Sequence, residues 1–172
     1  MAVLLLITAL LSGHAVADSR AVIDAKSQEA LRRLRSYAVE VSTLVEEAVG
    51  ILVFPDIINM RFGNGGQYGE GSLLVAGEPR EYYVEAGAPF GLQSGAQYKS
   101  EVILFLTPES LADFRNTRGW EVGVNARVEM IEPAFDTADS QIQSEVVGFI
   151  FSNRGLVYNL TLEGNRITRV AK

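Results

Sequence analysis

From Gly50 onward the chain is a succession of short β-branched and aromatic runs, separated by Gly, Asn and Pro in links such as Gly77-Glu78-Pro79 and Glu163-Gly164-Asn165. A parallel connection needs a dozen or more residues, so runs joined this tightly must pair antiparallel. The pattern places strands over 51–54, closed by Pro55, and near 67–76, 80–87, 90–98, 101–106, 120–130, 145–152, 156–163 and 165–170. One stretch breaks it. Thr107-Pro108-Glu109-Ser110-Leu111-Ala112-Asp113-Phe114 has a Thr N-cap, Pro at the first helical position and an early Glu, and it reads as a short helix with Leu111 and Phe114 turned inward.

Ahead of Gly50 the period changes. Leu31, Leu34, Ala38, Val41, Val45 and Ala48 recur at spacings of 3, 4, 3, 4 and 3, which puts them on one face of a helix over about 24–49. The fold class is therefore α+β: a long N-terminal amphipathic helix plus a curved, glycine-rich antiparallel sheet of about eight or nine strands, barrel-like, with one short inserted helix. No composition shift divides the 172 residues, so one domain is expected.

Nine of the 16 glycines lie between Gly63 and Gly95, and they explain the expected curvature. Gly63, Gly65, Gly69 and Gly71 share strand parity, as do Gly91 and Gly95, while Gly66 sits beside the first set. Each set leaves one sheet face without side chains, which lets a sheet bend or another group approach closely. A phosphate cradle is disfavoured. A G-x-G-x-x-G beginning at Gly63 meets Tyr68 where its last glycine belongs, and the segment leads into a strand where that motif must open a helix.

Residues 1–17, MAVLLLITALLSGHAVA, carry an apolar run from Val3 to Leu11 and end Ala15-Val16-Ala17. This is the pattern of a cleaved secretory signal, although no Lys or Arg precedes the run, and about nine apolar residues are too few to span a bilayer. Cleavage would leave Asp18 first and residues 18–172 as the mature domain, periplasmic or secreted. It would also remove His14, the one histidine, from a chain with no cysteine. Histidine-activated nucleophiles, thiolate zinc sites, disulfides and a lipid anchor at the leader junction then drop out, and no cofactor is expected.

The chain resembles the SYLF domain, found in eukaryotic endocytic adaptors and exported bacterial proteins. The resemblance rests on Gly50-Ile51-Leu52-Val53-Phe54-Pro55, Gly65-Gly66-Gln67-Tyr68-Gly69-Glu70-Gly71 and Phe90-Gly91-Leu92-Gln93-Ser94-Gly95-Ala96-Gln97. It continues in Val102-Ile103-Leu104-Phe105-Leu106, Gly123-Val124-Asn125-Ala126, Arg154-Gly155-Leu156 and Leu162-Glu163-Gly164, in the family's order. It implies phospholipid binding without catalysis. Many bacterial relatives look like lipoproteins, whereas this chain lacks the anchoring cysteine.

For an anionic phospholipid or membrane surface, the local candidates are Lys26, Arg32, Arg33 and Arg35 around the Leu31 and Leu34 stripe. Arginines beside an apolar stripe can hold phosphates while their stems cover hydrocarbon. The plainer reading is that the stripe is the helix's core face. A second candidate is the segment 154–172, with four basic residues against Glu163. Residues 101–147 hold nine acids and three arginines, an acidic surface that would turn the basic ends toward a membrane or serve an envelope protein partner. With a net charge of −6, nucleic-acid binding is not expected. Asp136 and Asp139 lack the EF-hand spacing. A carboxylate-based hydrolase is the remaining alternative, with Glu70 and Glu85 near the glycine stretch as its candidates.

Overall fold

Ser19 opens the first helix by accepting from the Val22 N–H at 3.4 Å, and α1 runs Arg20–Arg35. The computed structural model describes residues 17–60, 65–91, 98–131, 142–153, 155–157 and 160–172, so His14, Gly63, Gly95, Asp136 and Asp139 lie outside the described residues. The single helix expected over 24–49 is two helices, because α1 ends at Arg35 and α2 spans Val39–Glu47. No Gly or Pro marks the break. The Ser36 hydroxyl donates to the Arg33 carbonyl at 2.6 Å, competing with the helical ladder, and Ala38 is extended. Tyr37, at the joint, packs edge-on against Phe151 with centroids 5.9 Å apart.

The strands are β1 (Gly50–Met60), β2 (Gly66–Val75), β3 (Glu78–Gly87), β4 (Lys99–Phe105), β5 (Trp120–Glu121), β6 (Glu129–Met130), β7 (Val146–Ser152), β8 (Gly155–Leu156) and β9 (Arg166–Val170), with α3 (Pro108–Asn116) between β4 and β5. They form one curled half-barrel sheet in the order β5-β9-β3-β2-β1-β4-β7-β6, with β8 paired to β7. The expected α+β class and antiparallel pairing hold for every neighbouring pair except β6 and β7, which are parallel.

Three expected strands need correction. Over 120–130 only the two ends are strand, because Gly123 at φ +85° and a 2.8 Å bond from the Glu121 N–H to the Asn125 side chain turn the chain between them. Over 156–163 the strand described ends at Leu156, residues 158 and 159 lie outside the described residues, and the Thr161 hydroxyl takes the Glu163 N–H at 3.1 Å in a local turn. Of 90–98, Phe90, Gly91 and Tyr98 are outside any strand and 92–97 lie outside the described residues. Conversely, β1 continues past Pro55 through a bulge, visible as register shifts between Val53 and Asp56 against β2 and between Phe54 and Ile57 against β4.

The sheet is covered on both faces. One face, with Ile51, Val53, Leu74, Val102, Leu104, Val147, Phe149 and Phe151, packs against Ala30, Leu31 and Leu34 of α1 and Val41 and Val45 of α2. The other holds Leu52, Phe54, Ile57, Leu73, Tyr83, Ile103 and Phe105 against Leu111 and Phe114 of α3 and Trp120. Phe114 is the hub of that side, 4.9 Å from Tyr83, 4.8 Å from Phe105 and 5.3 Å from Trp120 by ring centroids.

Two of the stripe glycines sit opposite the β1 bulge. A Cβ on Gly69 would lie 2.7 Å from the Ile57 side chain, and one on Gly71 would lie 2.2 Å from the Val53 carbonyl oxygen. Gly65 has φ +77° before β2, Gly66 begins that strand, and Gly91 lies in open space. Gly71→Ala should therefore destabilise the fold by about 1–3 kcal/mol through overpacking against backbone, whereas Gly91→Ala should leave the denaturation midpoint unchanged; urea titration of both variants checks this.

Candidate functional site

The apolar stripe of α1 belongs to the core: Leu31 is 2% exposed and Leu34 is 0%. Moving either into a different environment would forfeit about 1.5–3 kcal/mol of burial, so this face is committed to the sheet. The four basic residues around it take different roles. Lys26 pairs with Asp18 at 2.9 Å and Asp56 at 3.0 Å, and those hydrogen bonds, Asp18 first, hold its ammonium above the ordinary lysine range. Arg32 pairs with Glu29 one turn back, at 2.6 Å, on the exposed side. Arg33 donates to the Ser100 hydroxyl at 3.1 Å and lies over the Phe151 ring. Arg35 is exposed.

A denser basic cluster forms elsewhere. The start of β3, the end of β9, the C-terminal end of α3 and the first residue of α1 enclose a cleft of about 850 Å³. Its walls carry Arg20, Arg80, Arg115, Arg118, Arg169 and Lys172 against one acid, Glu81. Glu81 is on the concave-side floor, its side chain 5% exposed, and it accepts from Arg115 Nε and Nη2 at 3.1 and 2.6 Å and from the Tyr83 hydroxyl at 2.6 Å. Arg169 approaches the same carboxylate at 3.6 Å. Burial alone would raise the Glu81 pKa, but the Arg115 and Tyr83 hydrogen bonds and the two guanidinium charges hold it below the usual carboxylate range. Burial, then Glu81, pushes the Tyr83 phenol up, and the bond to Glu81 raises Arg115.

One acid thus fixes two of the arginines. Arg20 stacks over the Tyr82 ring, 5.7 Å from its centroid, and the Tyr82 hydroxyl donates to Asp24. Arg80 and Arg118 are exposed and have no ion-pair or hydrogen-bond partner among the described residues. Planar guanidinium forks suit phosphate oxygens in bidentate contact, and a cleft of this volume is large enough for a small anionic group. Of the sequence candidates, only the 154–172 segment reaches this place, through Arg169 and Lys172. Among the described residues of the acidic stretch 101–147, Glu101 is buried and Arg115 and Arg118 line the basic cleft.

A second polar cluster lies inside the half-barrel. Glu85, Glu101 and Lys99 are 0%, 0% and 1% exposed, and Lys99 ion-pairs with Glu101 beneath the Phe90 ring. Glu85 Oε1 accepts from Gln67 at 2.8 Å and Asn165 at 2.9 Å, while Glu85 Oε2 and both Glu101 carboxylate oxygens have no hydrogen-bond partner among the described residues. Burial first, then the Glu101 charge, raises the Glu85 pKa well above the carboxylate range. Glu70 stands on the opposite face of β2 from this group, because it follows Gly69, which pairs with Glu85; Glu70 and Glu85 do not form a carboxylate pair. Among the described residues no group of three or more His, Cys, Asp or Glu side chains is placed to hold a metal ion.

No family model matches the chain, and no curated protein matches it.

Because the folded-state pKa of Glu85 is raised above its unfolded value, its contribution is full below the unfolded carboxylate pKa and is lost as pH rises through the folded value. Glu85→Gln mimics the neutral acid and keeps an acceptor for Gln67 and Asn165. Its thermal midpoint should match the parent's below the unfolded carboxylate pKa and fall less as the pH is raised through and beyond the carboxylate range, as differential scanning calorimetry across pH would show.

Proposed function

We propose that this is an exported, non-enzymatic domain that binds the headgroups of anionic phospholipids at a membrane surface, with the basic cleft as its seat. The carrying observation is the convergence of Arg20, Arg80, Arg115, Arg118 and Arg169 around one acid of the cleft lining, Glu81, with Lys172, itself paired with Glu70, at its edge. The SYLF resemblance supplies the lipid class, and the leader supplies the route to the envelope. Binding of this kind is reversible, since it draws on guanidinium contacts rather than a covalent anchor.

The cleft is preferred over the α1 arginines on physical grounds. The helix's apolar face is occupied by the sheet, Arg33 is engaged with Ser100 and Phe151, and Arg32 is paired with Glu29. In the cleft, Arg80 and Arg118 are uncompensated, and Glu81 holds Arg115 in place before a ligand arrives, which reduces the ordering cost of binding.

Co-sedimentation of the mature chain with anionic vesicles tests the reading. Replacing Arg80 and Arg118 together with Glu should weaken binding at low salt by about 30-fold or more, taking about 1 kcal/mol per basic residue. Arg32→Glu should change it little. Unaltered vesicle binding by the Arg80 and Arg118 double variant would move the site away from the cleft, and no binding of the parent chain to any anionic vesicle would remove the lipid reading.

A further inference from the structure

Asp18 stands in a polar cluster assembled from separate parts of the chain. Its backbone N–H donates to Glu70 Oε2 at 2.8 Å, its carbonyl accepts from Lys172 Nζ at 2.8 Å, and its carboxylate pairs with Lys26. Glu70, on β2, also pairs with Lys172 at 2.7 Å and accepts from the Tyr68 hydroxyl at 3.3 Å. Lys26, on α1, reaches on to Asp56 of β1. The Glu70 and Lys172 side chains are 12% and 11% exposed, so solvent screens this contact far less than a surface pair.

The charges in the cluster do not balance. Three carboxylates, Asp18, Asp56 and Glu70, face two ammonium groups, Lys26 and Lys172, which leaves an excess of one negative charge. The nitrogen of Asp18 is already held on Glu70, and Ala17 ahead of it is exposed and outside any helix or strand.

We infer that removal of the leader at the Ala17–Asp18 bond completes this site: the new α-ammonium of Asp18 is the missing cation, and Glu70, with Lys172 beside it, is its receptor. In the cleavage, catalysed by an export peptidase, water adds at the Ala17 carbonyl carbon and the C–N bond breaks. Ala17 leaves as a carboxylate, and the Asp18 nitrogen becomes an amine that is protonated at neutral pH. A charge-assisted hydrogen bond then replaces a neutral one at the same atom, about twice as strong. A terminus one residue earlier or later would put the charge away from Glu70. Processing would thereby tie the start of α1 to β2 and to Lys172, which lines the basic cleft. The inference rests on the leader reading and is independent of lipid binding.

The processed chain carries the test. Intact mass of the exported protein should give Asp18 as its first residue; any other first residue overturns the inference. Titration of the α-amine by NMR should give a pKa above the ordinary range of about 7.7–8.0, and Glu70→Gln should bring it back down. Acetylation of the amine keeps a donor but removes the charge. It should lower the thermal midpoint of the parent at neutral pH by about 2–4 °C, with a smaller effect after Glu70→Gln. Since a raised folded pKa stabilises only below it, the gap between free and acetylated chains should close as pH rises through that value. An α-amine in the ordinary range overturns the inference, and that measurement needs no variant. None of these readouts involves lipid, so failure here and failure of the lipid reading are separable.

Discussion

The close approach of β1 to β2 at Gly69 and Gly71 is the constraint on which the rest of the fold depends. In a flat sheet β3 and β4, separated by β2 and β1, would stand about 14 Å apart at three strand spacings. Yet Glu85 of β3 and Glu101 of β4 are buried together in the interior, close enough for the Glu101 charge to raise the Glu85 pKa. The sheet must therefore curl toward that face, and the β1 bulge at Phe54 and Pro55 provides the bend. The bulge is possible only where the neighbouring strand has no side chain to obstruct it, since a Cβ on Gly71 would collide with the Val53 carbonyl and the Phe54 ring. Pro55 adds no N–H to the ladder, and its carbonyl is satisfied from across by the Ser100 hydroxyl at 2.6 Å.

The curl produces an interior that is apolar around Phe114 and polar at one end. A buried ion pair recovers its desolvation cost only when its remaining valences are met. Here Lys99 neutralises Glu101 and lies under Phe90, and Gln67 and Asn165 both converge on one oxygen of Glu85, while its other oxygen has no hydrogen-bond partner among the described residues. Gln67 comes from β2 and Asn165 from just before β9, so the cluster ties together strands that have no ladder contact. A uniformly apolar filling would set the curl less specifically, because hydrophobic contact has no direction and these hydrogen bonds do.

Much of this was legible in the residues. Short turns dictated antiparallel order, Thr107-Pro108 announced α3, and the glycine parity predicted a bare stripe that the Gly69 and Gly71 contacts realise. Periodicity also found the α1 face, but a stripe does not say what covers it, and only the sheet residues Ile51, Val53 and Leu74 decide for core over lipid. The helix break at Ser36 carried no Gly or Pro, so pattern alone ran through it. Lys99 and Glu101 stand two apart on β4 and so share a face, whereas their neighbour Glu85 is brought to them only by the curl. The cleft was hidden for the same reason. Arg20, Arg80, Arg115 and Arg169 are each unremarkable in their own segments and meet only through the β3–β9 pairing and the end of α3.

The overall charge of −6 looks unfavourable for binding an anionic surface, but distance settles the matter. At physiological ionic strength the Debye length is about 8 Å, so exposed acids elsewhere on the molecule are largely screened at the cleft. Three acids near the cleft are already engaged: Glu81 by Arg115 and Tyr83, Asp24 by Tyr82, and Glu70 by Lys172. An anion entering the cleft therefore meets guanidinium groups whose local compensation is incomplete, Arg80 and Arg118 above all. Raising the salt weakens that attraction along with the repulsion from distant acids, so the proposed binding would follow the local arrangement of arginines rather than the charge of the chain as a whole.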